Sequence, residues 1–158
     1  MNQIERLQEQ IVERLKLNLP SIAYVGGFPS KPEEFDLANF QMAALVHYGG
    51  ARYASDNALN HASQSRSMRF VIALNFTTLE GEHGAYAVLE RCRSALQNFP
   101  LAGASPLMME REDLADQSPG QWRWQMEVSC QARSISDHQG PRRPVPPILR
   151  HPPLKQED

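Results

Sequence analysis

Cysteine is scarce in this chain: Cys92 and Cys130 are the only two in 158 residues. They stand far apart, in segments that read as a helix and a strand. A disulfide framework is therefore not expected, and two reduced, buried thiols are. Long apolar runs are missing as well. None approaches the roughly 18 residues of a membrane span, and the opening "MNQIERLQEQ" lacks the basic–apolar–small order of a signal peptide. There is no excess of basic charge. Sixteen Lys and Arg against eighteen Asp and Glu leave a net charge of -2, which does not suit a protein that lives by gripping nucleic acid. Paired metal ligands are wanting too, since His47, His61, His83, His138 and His151 show no ligand spacing and neither cysteine has a close partner. No metal, cofactor or catalytic group is expected.

What is present is amphipathic patterning, and 41% hydrophobic residues in 158 suit one soluble globular domain. Ile4, Leu7, Ile11 and Leu15 recur at helical spacing, predicting a helix from about Gln3 to Leu17, stopped by Asn18 and Pro20. "SIAYVGGFPSKPEEF" gives a short extended piece and then a Gly/Pro loop. "MAALVHY" predicts a strand over Met42–Tyr48 that Gly49-Gly50 breaks or bulges. "ASDNALNHASQSR" reads as an exposed loop or hairpin tip, and "RFVIALNFTT" as a strand over Arg69–Thr78. In "GEHGAYAVLERCRSALQNF" the stripe Ala85, Val88, Leu89, Cys92, Leu96 predicts a second helix. "PLMMEREDLAD" and "QWRWQMEVSCQAR", joined at Ser118-Pro119-Gly120, predict an antiparallel hairpin. In its second strand Trp122, Trp124, Met126, Val128, Cys130 and Ala132 share one parity. Arg123, Gln125, Glu127, Ser129, Gln131 and Arg133 share the other, so an oily face and a wet face are expected.

Proline is unevenly spread. Half of the twelve lie at Pro141, Pro144, Pro146, Pro147, Pro152 and Pro153. A segment of that composition is excluded from helix and central strand and reads as an extended, polyproline-like arm. Val145, Ile148, Leu149 and Leu154 are spaced there among Arg142, Arg143 and Arg150. That favours an arm that docks on a neighbour over a purely solvating tail. "GPRRPVPP" also has the composition of a ligand for a proline-reading groove. The expected architecture is α+β: a mostly antiparallel mixed sheet flanked by two amphipathic helices. Residues 1–136 form the domain, and 137–158 the proline-rich extended C-terminal arm.

Two arrangements resemble chemistry and are better explained without it. Cys92 lies near His83 in sequence, but it shares the apolar stripe of its helix, as an inert core thiol does. "MEREDLAD" gathers Glu110, Glu112, Asp113 and Asp116; alternation places Glu110 and Glu112 on one face, and no second acidic motif completes a site. A solvated acidic face follows, of a kind that would keep DNA from adhering to a ring around it. Trp122 and Trp124, at the end of their strand, with Arg123 and Glu127 opposite, are the expected subunit contacts. In the arm, Arg142, Arg143, Ile148, Leu149 and Leu154 are expected to reach a partner.

In their order and spacing, "AALVHYGGARYAS", "RFVIALNFTTLEGEHGAYAVLERCRSALQNF", "MEREDL" and "WRWQMEVSC" resemble the tail-terminator family of Mu-like phages and prophages. The resemblance runs from the first helix to about Arg133 and leaves the arm out. It implies a structural virion protein without catalytic residues, a homohexameric ring that caps the head-proximal end of the tail. The ring would end polymerisation of the tail tube protein and contact the tail sheath protein of a contractile tail. It would also offer a docking surface to a neck or head-completion protein. Genomic DNA would pass its lumen without specific binding, no membrane would be involved, and assembly would take place in the host cytoplasm. Another head–tail connector or tail-completion protein is the alternative; a small cytosolic enzyme using Cys92 or Glu110 and Glu112 is a remote one.

Overall fold

The structure is a computed structural model that describes residues 1–31, 40–55 and 62–137. Its first element, α1 (Gln3–Asn18), buries Leu7, Ile11 and Leu15 of the stripe read from the sequence, with Val12 beside them, while Ile4 is partly buried. A capping box starts it: the Asn2 side chain accepts from the Glu5 N–H at 2.9 Å, and Glu5 accepts from the Asn2 N–H at 3.0 Å. Two otherwise orphaned donors are thereby satisfied. Leu19 turns the chain into extended backbone, and Pro20 prevents the helix from resuming.

Five strands and a second helix follow: β1 (Tyr24–Gly27), β2 (Met42–Tyr53), β3 (Ser63–Phe76), α2 (Ala85–Leu96), β4 (Met108–Ser118) and β5 (Gln121–Ile135). They form one sheet in the order β1-β2-β3-β5-β4. β1 runs parallel to β2 and every other pair is antiparallel, so the expected mixed, mostly antiparallel α+β architecture is the one observed. β4 and β5 are joined across Pro119 and Gly120, with Gly120 at φ 77. Proline followed by a left-handed glycine is what a type II turn requires.

Both central strands run longer than their apolar cores. β2 continues past the glycine pair to Tyr53, and β3 starts at Ser63, inside the polar stretch read as a loop. The pair Gly49-Gly50 makes a bulge, because the register between β2 and β3 shifts between Tyr48 and Gly50. A Cβ on Gly49 would stand 2.9 Å from Val71 Cγ2 and 3.0 Å from Arg69 Nε, and Gly50 lies at φ 110. Only glycine meets both demands without strain.

The two faces of the sheet differ. Met42, Ala44 and Val46 of β2, Met68, Phe70, Ile72, Leu74 and Phe76 of β3, and Met126, Val128, Cys130 and Ala132 of β5 point to one side. There they meet α1 and the α2 stripe Ala85, Val88, Leu89, Cys92 and Leu96 in one hydrophobic core. The opposite face is divided. Ala43, Leu45, Val71 and Asn75 are buried on its β2–β3 half, while its β4–β5 half carries exposed charge. The proline-rich arm lies outside the described residues.

Candidate assembly interface

The outer margin of the sheet is the hairpin of β4 and β5. Among the described residues β4 pairs only with β5, and it is exposed on both faces over nearly its whole length. Four acidic residues, Glu110, Glu112, Asp113 and Asp116, accompany one basic residue, Arg111, along it. Register shifts interrupt it between Met109 and Arg111 and between Leu114 and Asp116. Charge and bulges on an edge strand discourage pairing with another backbone.

On the helix side of this margin, Glu112, Leu114 and Gln117 of β4 stand in register with Met126, Trp124 and Trp122 of β5. Met126 is fully buried; the two tryptophans are half-buried and pack against the core. Trp124 meets Tyr86, in the first turn of α2, edge to face at 6.4 Å. Tyr86 is 49% exposed and Leu114 44%, so an apolar strip remains uncovered between α2 and β4. At one end of the strip the loop from β3 to α2 carries exposed Glu80 and Glu82, and at the other end stands Glu112.

The far side of the margin is polar. Arg123 lies 3.8 Å from Asp116 and is half exposed. Glu127, with a side chain only 12% exposed, lies 3.7 Å from Arg69, whose Nη2 donates to the Gly49 carbonyl at 2.6 Å. Ser129 Oγ donates to Glu110 at 2.6 Å, and Arg111 Nε donates to Asp113 at 2.7 Å. Arg52, Ser67, Arg69, Glu110, Glu127 and Ser129 thus line a shallow open cleft of both charge signs.

The four hairpin residues expected as subunit contacts therefore fall on two faces. Trp122 and Trp124 belong to the uncovered strip, whereas Arg123 and Glu127 sit on the polar side within local ion pairs. Arg142, Arg143, Ile148, Leu149 and Leu154 lie outside the described residues. Sequence reasoning missed Tyr86 and Leu114. Their signals were an aromatic off the α2 stripe and a lone apolar residue in an acidic strand.

The carboxylate pair corrects an expectation. Glu110 and Glu112 do not share a face: Glu110 accepts from Ser129 on the polar side, while Glu112 aligns with Met126 on the helix side. The bulge at Met109/Arg111 inserts a residue and breaks the alternation. The thiols are held neutral. Burial, and secondarily the Glu112 carboxylate, push Cys92 up to about 12, and burial raises Cys130. A thiol so placed is a poor nucleophile at neutral pH. Among the described residues no three His, Cys, Asp or Glu side chains cluster as metal ligands. Among them, too, no helix is long and apolar enough to cross a membrane.

These features define a small α+β domain whose distinctive surface is an uncovered sheet margin. Residues 11–150 match the Gp37 protein family, and the chain belongs to that family. Its fold is similar to that of a chain in the virion of a native gene transfer agent (GTA) particle. The TM-score is 0.55 at 16% sequence identity, and the match covers 85% of this chain and 100% of that one. At that identity the likeness concerns the fold. No curated protein matches the chain.

Proposed function

We propose that this Gp37-family chain is a structural protein of a phage-type virion. Its role is that of a tail terminator, closing the head-proximal end of the tail tube as a hexameric ring. The observation that carries the reading is the fold similarity to a virion chain over that chain's whole length. Family membership over residues 11–150 and the resemblance to Mu-like tail terminators support it. A tube grows by adding identical rings, and stopping it takes a domain that matches the tube on one face and refuses a copy of itself on the other. The edge strand β4, acidic and twice bulged, suits such refusal. In this reading the expected partners are the tube protein, the sheath protein of a contractile tail and a neck protein. DNA passes through the lumen without specific contacts.

The enzyme alternative draws little support from the site, since Cys92 is buried and neutral and Glu110 and Glu112 face opposite ways. Imaging of particles from a phage or prophage lacking the gene tests the proposal. Overlong, headless tubes are expected. Tails of normal length without heads would instead make the chain a connector at another level of the neck, and normal virions would refute both.

A further inference from the structure

We infer that the uncovered strip between α2 and β4 is the docking site for the proline-rich C-terminal arm of a second copy of this chain. The strip is built as acid, apolar centre, acid: Glu80 and Glu82, then Tyr86, Trp122, Trp124 and Leu114, then Glu112. The arm is built as base, apolar centre, base: Arg142 and Arg143, then Val145, Ile148 and Leu149, then Arg150. The two orders are complementary. Aromatic surfaces recognise proline-rich segments in extended form, because such segments lose little entropy on docking.

Lengths agree. Seven residues separate Arg143 from Arg150, about 22 Å at polyproline rise. The strip spans about 17 Å from Glu112 to Gln117 along β4, with the Glu80–Glu82 loop beyond.

Reach decides whose arm it is. Trp124 lies near the start of β5, and the described chain ends at Asp137, just past the far end of that strand. Thirteen residues of strand put about 43 Å between them. Eleven residues of extended arm, from Asp137 to Ile148, cover about 34 Å. The apolar centre of the arm thus falls short of its own strip, and a neighbour's strip takes it. The contact joins the arm of one copy to the margin of another, which a reciprocal pair and a closed ring both satisfy. It does not depend on the capping role proposed above.

Two full-length variants test it. One carries Arg142→Glu and Arg143→Glu in the arm; the other carries Glu82→Lys and Glu112→Lys on the strip, all exposed or terminal positions. Thermal melts establish that both are folded, and analytical ultracentrifugation reads self-association. Each variant alone is expected to self-associate at least ten-fold more weakly than the wild type. An equimolar mixture is expected to regain association, because every junction then pairs an acidic with a basic element. If either variant alone associates like the wild type, the contact does not exist. A mixture that fails to regain association, with each variant alone weakened, would overturn the pairing of arm with strip. A wild-type chain that stays monomeric at every concentration overturns the inference as well. None of these outcomes depends on tail length, so they are distinguishable from a failure of the terminator reading.

Discussion

Replacing Gly49 with alanine asks whether the β2 bulge is required by packing or only tolerated. The new Cβ would stand 2.9 Å from Val71 Cγ2 and 3.0 Å from Arg69 Nε, with the Arg69 carbonyl at 3.4 Å. Val71 is 5% exposed and has little room, so its side chain must leave its rotamer at a cost of about 1 kcal/mol. Arg69 is half exposed and can swing away, but it then gives up the 2.6 Å bond to the Gly49 carbonyl and its place beside Glu127. A charged hydrogen bond that water partly replaces is worth about 1 kcal/mol. Together the change should destabilise the fold by about 2 kcal/mol, lowering Tm by about 4–8 °C for a domain of this size. Gly50→Ala is the control. It meets no atom within 4 Å and pays only for φ 110, about 1–2 kcal/mol. Urea denaturation with two-state analysis reads both. If Gly49→Ala lies within 0.5 kcal/mol of the wild type, the account of the bulge is wrong.

Asn2→Ala should remove the side-chain cap on the Glu5 N–H, leave the backbone N–H of residue 2 to bond Glu5, and cost about 1 kcal/mol in the same assay. Cys92 and Cys130 should resist a thiol reagent at pH 8 in the native protein and react once urea unfolds it; rapid native labelling of Cys92 would contradict its burial. The folded Cys92 thiol ionises near 12, above its unfolded value of 9.0, so its contribution to stability is present below pH 9 and is lost as pH rises toward 12. Cys92→Val should therefore flatten the alkaline fall in unfolding free energy, measured against the wild type across that window. His47 behaves in the opposite sense. Burial and then Arg69 lower its pKa below 6.5, so wild-type stability should decline as pH falls below that value, and His47→Asn should remove this part of the acid-side slope.

Elements buried on one face were legible because burial imposes a period. The Ala85–Leu96 stripe and the parity from Trp122 to Ala132 both emerged at the right residues and on the right side. The bulge at Gly49-Gly50 was legible because glycine pairs mark it. The start of β3 was not. "SQSR" has a loop's composition, yet all four residues pair with β5, from Ser63 with Ile135 to Arg66 with Ala132, and Arg66 pairs with Tyr53 of β2 as well, and pairing overrides propensity. The facing of Glu110 was misread because the bulge before Arg111 carries no glycine or proline. The parallel pairing of β1 with β2 had no local signal, since it joins residues about nineteen apart through a connecting segment. The strip itself was half legible: the tryptophans announced it, but Tyr86 and Leu114 belong to it only through tertiary packing.

The margin combines repulsion with attraction, and the two act on different kinds of contact. Two β4 edges laid side by side would bring Glu110, Glu112, Asp113 and Asp116 of one copy against the same residues of the other. The bulges at Met109/Arg111 and Leu114/Asp116 would also spoil the backbone register. A two-fold pairing through this edge is therefore opposed twice, by charge and by geometry. Side chains on the helix side remain free to bind something of opposite charge and unlike shape, which a symmetric partner edge cannot supply. An element from elsewhere in the chain can. Such a contact can be exchanged between two copies, or it can run head to tail and close into a ring where the rotation allows. An acidic edge that rejects its own copy while its neighbouring strip accepts a basic arm would thus join copies through their arms and not through their sheets, and would leave the edge itself unable to add another strand.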